Sequence, residues 1–384
     1  MSDEARRVMS RLAIAVATVA VLLFAGLAAG LVASAAPPPV SWEASANRGV
    51  VELEVTGTAG ISLRIAEDLA SIIDDGATRR LMPVIGKGSL QNITDLKLLR
   101  GVDIAILQTD VLDYAKEKQL FPGLESSFSY IAKLYNEEFH LLARQDIKTI
   151  ANLANQKVNV DAQGSGTAIT ANRVFDILRL KVQQTNDSQE VALEKLRKGE
   201  IAALAFVAGK PAPLFATLTK DDGLRLLSIP ADASLTAAYP PVRLTAADYP
   251  ALVSPDRAVD TVAVGAVLVA ADLRFVPERY RNVSNFVDAF FTGFSSLLTP
   301  GHHRKWQEVN LAAELPGWRR YAPADQWLQR NAPVAAAPSA GDMETMFSRF
   351  LDQRREAAGG QPMNQKEKDD LFQQFQRWRS AGPR

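Results

Sequence analysis

The stretch Gly164-Ser165-Gly166-Thr167 stands between an alternating apolar run that ends at Val160 and a run with helical spacing. Glycine lets the backbone turn tightly and come close to a bound group. The first N–H groups of a helix have no partner within it, and the helix dipole is positive there. This strand–loop–helix corner is therefore typical of an anion site. The alternative is a plain N-cap, in which Ser165 or Thr167 only accepts a hydrogen bond from the helix.

Nucleotide-binding motifs do not fit this loop. A dinucleotide loop of the form G-x-G-x-x-G needs a third glycine, and Ile169 occupies that position. A P-loop needs G-K-[ST], which does not follow. Among the anions considered, a small carboxylate fits better than a nucleotide phosphate.

Turns of similar build recur elsewhere in the chain. Gly57-Thr58-Ala59-Gly60 follows another alternating run, and Ser89 opens a helix after Gly86-Lys87-Gly88. Lys87 is one of the few cations expected near a cleft, and the alternative for it is a solvated turn lysine. Two apolar strands also end in such turns, at Gln108-Thr109-Asp110 and at residues 206–209. The candidate ligand contacts from these turns are Gly57, Thr58, Ala59, Lys87, Ser89, Gln108, Thr109, Ser165, Gly166, Thr167, Phe206 and Gly209.

Composition excludes several other functions. The 384 residues carry zero formal net charge, and no basic stripe with interleaved aromatic residues supports a nucleic-acid partner. The chain has no cysteine, which excludes disulfides and thiolate chemistry. Its three histidines include His302-His303, which a solvated turn explains better than a metal site. No carboxylate pair is placed for acid–base work, so we expect no enzyme, no metal and no cofactor.

The elements around these turns follow one plan in each half of the chain. The segments "LKLLRGVDIAIL" and "LEKLRKGEIAALAF" both read as amphipathic helix, arginine, glycine stop and buried strand. Strands that alternate with helices predict parallel α/β sheets, and two such sheets facing each other would form a cleft. Ligands of open α/β sheets lie beyond the carboxyl ends of the strands. A strand at Asp260–Val269 and helices at 277–298 and 304–311 complete the pattern.

The two ends of the chain differ from its centre. Arg6, Arg7 and Arg11 precede an uncharged run from Leu12 to Ala36, which predicts a signal peptide or, since the run is long, an uncleaved inner-membrane anchor through residues 12–36. Both alternatives place the rest of the chain in the periplasm. At the other end, apolar stripes after residue 341 predict a helical hairpin. It packs on itself or on the nearer lobe, or it docks to a partner.

Six segments in order resemble the TAXI class of solute-binding subunits of tripartite ATP-independent periplasmic (TRAP) transporters. They are "VTGTAG", "IGKGSLQNI", "VDIAILQTD", "VDAQGSGT", "AFVAGKPAP" and "VDTVAVGAVLVA", within roughly residues 50–330. The resemblance implies a two-lobed type II periplasmic-binding-protein fold that closes on a small, often acidic solute and hands it to membrane permease subunits. It also implies a contact at Asn92. The chain departs from the family at Ile61-Ser62-Leu63-Arg64, where aromatic residues and proline usually continue the first turn.

These observations predict the domain organisation and two alternative functions. The first is a periplasmic solute-binding protein for a small organic acid or amino acid. The second is a membrane-anchored sensor or adaptor on the same scaffold. The predicted boundaries are a signal or anchor at 1–36, a linker at 37–48, lobe 1 at 49–138 and 271–333, lobe 2 at 139–270, a linker at 334–341 and a helical tail at 342–384.

Overall fold

The computed structural model of the protein describes residues 48–57, 59–331 and 371. The predicted signal or anchor at 12–36, Thr58 and the predicted tail, apart from Leu371, lie outside the described residues. Within the described part, no helix combines the length and the apolar character that crossing a membrane requires.

The first half of the fold alternates strands with helices as the sequence predicts. β1 pairs in parallel with β2 on one side and with β3 on the other. The sequence pattern does not predict β2, which contains Pro83 and lies at the sheet edge, where a missing N–H is tolerated. The elements are β1 (Val50–Thr56), α1 (Ser62–Ile73), β2 (Arg80–Gly86), α2 (Ser89–Leu98), β3 (Val102–Gln108), α3 (Thr109–Glu117) and the short α4 (Leu124–Ser127).

A 17-residue strand, β4 (Phe128–Arg144), connects this half to the next and is absent from the sequence prediction. The second half repeats the parallel plan, since β5 pairs in parallel with both β6 and β7. Its elements are β5 (Lys157–Asn159), α5 (Gly166–Ile177), β6 (Gln183–Thr185), α6 (Gln189–Arg197), β7 (Ala203–Ala208), α7 (Pro213–Ala216), β8 (Leu224–Leu226), α8 (Ala233–Ala238) and β9 (Pro241–Leu244).

The chain then returns to the first half. β10 (Val259–Ala271) and α9 (Pro277–Leu297) match the predicted strand and helix, and α10 (Ala322–Asn331) ends the described core. The helix predicted at 304–311 is instead a 3₁₀ segment at Arg304–Glu308. Its Val309 N–H bonds to the carbonyl of Trp306, three residues back, which is the 3₁₀ rather than the α pattern.

The strands form one mixed sheet rather than the two separate parallel sheets that the sequence predicts. The pairing order is β2-β1-β3-β10-β4-β7-β5-β6, with β8 beside β4 and β9 beside β10. β10 is antiparallel to both β3 and β4, and β4 is antiparallel to β7. The two long strands therefore join the parallel groups.

The buried core shows where these long strands cross. The first part of β4, up to Tyr135, belongs to the cluster of the first half, and the part from Phe139 onward belongs to clusters of the second half. β10 crosses in the opposite direction, with Val262 and Val264 in the second half and the segment from Ala266 in the first. The chain therefore passes between the halves within β4 and β10, and each of these strands is buried in the cores of both halves.

Candidate functional site

A cavity of about 330 Å³ lies where the two halves meet. Its lining comes from the carboxyl ends of β1, β2 and β3 on one side and of β5, β6 and β7 on the other, with one residue from β4. This is the place where open α/β sheets bind ligands. Its volume is at the small end of the range for ligand pockets.

The structure brings most of the predicted site residues together around this cavity. Thr58 lies outside the described residues, and three other predicted contacts, Asn92, Thr109 and Gly209, do not belong to the described lining. The predicted residues that do line the cavity are Gly57, Ala59, Lys87, Ser89, Gln108, Ser165, Gly166, Thr167 and Phe206.

The three residues outside the lining have packing positions of their own. Asn92 comes almost one helical turn after Ser89 and is fully buried. It packs against Gly86, where an added Cβ would overlap the Asn92 side-chain amide. Thr109 lies against Gly265 of β10. Gly209 lies against Ile61, and a Cβ there would also come within 3.4 Å of Tyr135. Each of these residues packs against neighbouring residues and is not part of the described lining of the cavity.

Ser165 and Thr167 have structural roles in addition to lining the cavity. Ser165 is the N-cap of α5, and its Oγ accepts a hydrogen bond of 3.1 Å from the Ala168 N–H. Ser165 is thus an N-cap, as the sequence predicts, and it also lines the cavity. Thr167 Oγ1 accepts a 3.1 Å hydrogen bond from the Val207 N–H of β7. The Thr167 hydroxyl therefore still has its own proton to donate, whereas the Ser165 hydroxyl is hydrogen-bonded to the Asp161 carboxylate.

The two matched corners touch directly across the cavity. The Leu90 N–H at the start of α2 donates to the carbonyl of Gly164 at 3.2 Å. Gly88 has φ +138°, and a Cβ there would come within 3.3 Å of the Ser165 Cα. The helix starts of the two halves are therefore in contact beside the cavity.

A second contact between the halves lies behind the cavity, at Asp110 of α3. The buried Asp110 carboxylate accepts hydrogen bonds from Thr170 Oγ1 at 2.7 Å and from the Tyr239 hydroxyl at 2.9 Å. Burial raises the pKa of Asp110, and the two hydrogen bonds oppose that rise. One first-half side chain thus holds two elements of the second half.

Several cavity residues are absent from the sequence prediction. One of them is Glu137, which projects from β4 and is 6% exposed. Its Oε2 accepts a hydrogen bond of 2.6 Å from Gln108 Nε2. Burial raises the pKa of Glu137 to about 7, despite the opposing Gln108 hydrogen bond. The others include Asp161 and the β6–α6 corner at Ser188, Gln189 and Glu190.

The sequence does contain a signal for Glu137. Glu137 and Glu138 are adjacent within the largely apolar run "FSYIAKLYNEEFHLLA". Carboxylates are almost never fully buried unless they are paired, so two of them inside a buried strand mark a functional or structural site. Glu138 proves to be the structural one, because its Oε1 accepts a 2.6 Å hydrogen bond from the buried Lys305 Nζ.

His140 supports the cavity wall without lining it. Its Nδ1 lies 3.3 Å from the carbonyl of Phe206, and its Nε2 lies 2.7 Å from the Tyr249 hydroxyl. Because that hydroxyl accepts the Ala212 N–H at 2.8 Å, it donates to Nε2, which leaves the ring proton on Nδ1. Burial lowers the pKa of His140 to about 4, so the ring is neutral at pH 7.

Closely set strand-end corners around a small cavity are typical of a protein that holds a small solute. The comparison with protein families agrees: the model of the NMT1-like family matches residues 55–274, and the chain belongs to that family. This is the TAXI/TRAP-type family of solute-binding proteins of periplasmic transport systems, and it is non-enzymatic. The family resemblance noted in the sequence is therefore confirmed.

Solved structures with a similar fold include three binding proteins. The alkanesulfonate-binding protein SsuA from Xanthomonas axonopodis pv. citri, bound to MOPS, is 15% identical, with 82% of this chain and 95% of that chain covered and a TM-score of 0.42. The periplasmic binding protein BugD is 12% identical, with 67% and 85% covered and a TM-score of 0.44. A TctC solute-binding protein from Polaromonas is 17% identical, with 63% and 88% covered and a TM-score of 0.37. At these values the likeness carries no information about the ligand of this chain.

Proposed function

We propose that the protein captures a small organic acid or amino acid between two lobes and delivers it to a TRAP-type secondary transporter. The observation that carries this proposal is the meeting of six strand-end corners, three from each half, at one cavity of about 330 Å³. In the proposed type II arrangement, residues 49–138 and 271–333 form one lobe and residues 139–270 form the other. The crossing strands β4 and β10 act as the hinge.

The proposed ligand contacts are the cavity-lining residues together with Thr58. The amides of Gly166 and Thr167, at the positive end of the α5 dipole, suit a carboxylate, and the Thr167 hydroxyl adds a further donor. Lys87, at the exposed rim, supplies the cation on the opposite corner. Phe206 offers an apolar wall for the carbon skeleton of the solute.

The proposed setting is the periplasm. Family membership supports it, and so does the sequence of residues 1–36, which fits export with or without retention as an inner-membrane anchor. In this setting the partners are the solute and the membrane permease subunits.

A thermal-shift screen of the purified protein against small carboxylates and amino acids tests the proposal. Binding to the folded state alone raises the melting temperature, by an amount that corresponds to about 2.7 kcal/mol at a hundred times Kd. We expect at least one compound to raise it with saturable concentration dependence. If no compound in the screen stabilises the protein, capture of such solutes is refuted.

A further inference from the structure

The charges that line the cavity are unevenly divided. Of the described lining residues, three are carboxylic acids, Glu137, Asp161 and Glu190, and one is basic, Lys87. Lys87 and Glu190 are exposed at the rim, where solvent screens them. Glu137 is buried and Asp161 is half-buried, so the charges in the interior of the cavity are acidic. A solute with two carboxylates would meet like charge there.

Among the described residues, no cation forms an ion pair with Glu137. The only buried cation among them is Lys305, whose charge lowers the pKa of Glu137 but whose Nζ is bonded to Glu138 at 2.6 Å and to Glu308 at 2.7 Å. The only hydrogen bond to the Glu137 carboxylate from a described residue comes from the neutral Gln108 amide. A buried carboxylate without a cation is costly, and a cationic ligand group in the cavity would remove that cost.

Further acceptors beside Glu137 also lack partners. Because Gln108 turns its NH₂ group to Glu137, its carbonyl Oε1 is directed away, towards Gly166. That oxygen and the Ser89 Oγ are buried, and neither has a hydrogen-bond partner among the described residues. A Cβ at Gly166 would overlap Gln108 Oε1 and lie 2.8 Å from Ser89 Oγ, so both atoms are at the junction of the two corners. Gln108 Oε1 is an acceptor without a donor, and the Ser89 hydroxyl can accept as well as donate, so a ligand that brings N–H groups would satisfy both.

From this arrangement we infer that the solute carries a protonated nitrogen, which binds the Glu137 carboxylate, and bears no more than one carboxylate of its own. The inference rests on the proposed function and narrows it from acids and amino acids in general to zwitterionic or cationic solutes. The ammonium group lies at Glu137, and a single carboxylate, where present, lies at the α5 N-terminus. Selection against dicarboxylates follows from the acidic interior.

Matched sets of compounds test this chemistry on the purified protein by titration calorimetry. Each set contains an amino acid, the 2-oxo acid that lacks its ammonium group, the amide that lacks its charged carboxylate, and the dicarboxylate of the same chain length. We expect the two ammonium compounds of a set to bind at least tenfold more tightly than the oxo acid and the dicarboxylate. Tighter binding of oxo acids or dicarboxylates would overturn the inference and leave the proposed function standing. Failure of every compound to bind would refute both.

Substitution of Glu137 by Gln tests the residue that we assign. The amide has the same shape and can still accept the Gln108 hydrogen bond, so the fold is expected to persist. We expect ammonium compounds to lose at least tenfold in affinity and oxo acids to lose none. Glu54→Gln is the matched control, since Glu54 is also buried with its pKa raised to about 7 but does not belong to the described lining. Equal losses in both variants would contradict a contact between Glu137 and the solute.

The pH dependence of affinity gives a second, independent readout. Glu137 faces Gln108 from β3, Asp110 from α3, Lys305 from the 3₁₀ segment and its neighbour Glu138. Of these, Asp110 and Glu138 also have raised pKa values because of burial. With its pKa raised to about 7, Glu137 gains its charge as the pH rises from 6 to 8, so ammonium compounds should bind more tightly at pH 8 than at pH 6. The profile should flatten in Glu137→Gln, and a profile unchanged from the native protein would show that another group titrates.

Discussion

At the scale of single residues, the site is built from side chains that serve both the fold and the ligand. Ser165 caps α5, Thr167 binds β7, and Gln108 orients Glu137, while all of them line the cavity. Replacing such a residue by alanine changes the local fold and the cavity together, so loss of binding alone would not identify a ligand contact. Substitutions of glycine by alanine separate an effect on the cavity from an effect on the local fold better, because they remove no side-chain hydrogen bond.

Gly166→Ala is expected to prevent closure of the cavity. The added Cβ would overlap Gln108 Oε1, which Glu137 holds in place, and would lie 2.8 Å from Ser89 Oγ. Both obstacles belong to the opposite half, so each half should fold normally. We expect at least a tenfold loss of affinity for any solute found by the screen, and a free energy of unfolding within about 1 kcal/mol of the native value.

Gly60→Ala is the matched control, because its Cβ would meet Ala208 Cβ at 3.6 Å, an ordinary contact, in the same cavity. Titration calorimetry with both variants measures whether Gly166→Ala loses affinity for the solute while Gly60→Ala keeps it. Native affinity in Gly166→Ala would mean that the contact seen here between the corners is not required for binding.

At the scale of elements, the helix starts are brought together by contacts outside the cavity. Asp110 at the start of α3 binds Thr170 on α5 and Tyr239 just after α8. These bonds connect elements of different halves, whereas the parallel strands connect elements within one half. They therefore stabilise the contact between the two halves, and none of the three residues belongs to the described lining of the cavity.

Asp110→Ala should weaken solute binding by at least tenfold, since hydrogen bonds to charged groups contribute about 1.5–3 kcal/mol each and the loss of both favours separation of the halves. Asp110→Asn keeps an acceptor oxygen and should lose less. Asp176→Ala, at an exposed position on α5, is the control and should bind as the native protein does. If Asp110→Ala binds with native affinity, this contact does not contribute to closure.

The predictions succeed where the sequence alternates, as in β1, where an apolar run follows a glycine stop or is continuous, as in β3 and β10, and in the helix α9. They fail at β4, a buried strand of 17 residues in which Lys133, Asn136 and the pair Glu137-Glu138 interrupt the apolar residues, so that neither alternation nor a continuous apolar run marks it. Missing β4 also meant missing Glu137, because the position of that residue depends on a strand that passes between the halves. Alternation in a sequence marks a strand with one exposed face, and no residue of β4 is exposed.

At the scale of the whole molecule, buried ion pairs join the returning chain to the crossing strand. Lys305 is 1% exposed and lies between Glu138 of β4 and Glu308. Nearby, Arg304 and Lys210 both pair with Asp248 of the second half. The 3₁₀ segment thus contacts the point where β4 passes from one core to the other.

Lys305→Ala is expected to lower the free energy of unfolding by about 3–5 kcal/mol, because it leaves the Glu138 carboxylate buried without its cation. Urea denaturation at pH 7 measures the loss. Combining Lys305→Met with Glu138→Gln should recover part of it, since the uncompensated charge is then gone. Lys116→Ala removes an exposed pair with Glu125 and should cost much less, because solvent screens that pair. An equal cost for the two single lysine variants would contradict the structural role of Lys305.

The sequence by itself determined the local corners: glycine turns, helix starts and buried strands are short-range patterns, and they carried the family resemblance and nine of the residues that line the cavity. Only the tertiary structure decided that the strands form one mixed sheet and that Asn92, Thr109 and Gly209 lie behind the cavity. It alone placed Glu137 beside Gln108, 29 residues away along the chain. Charge and burial at a site depend on residues distant in the chain, and local periodicity carries no information about which of them meet.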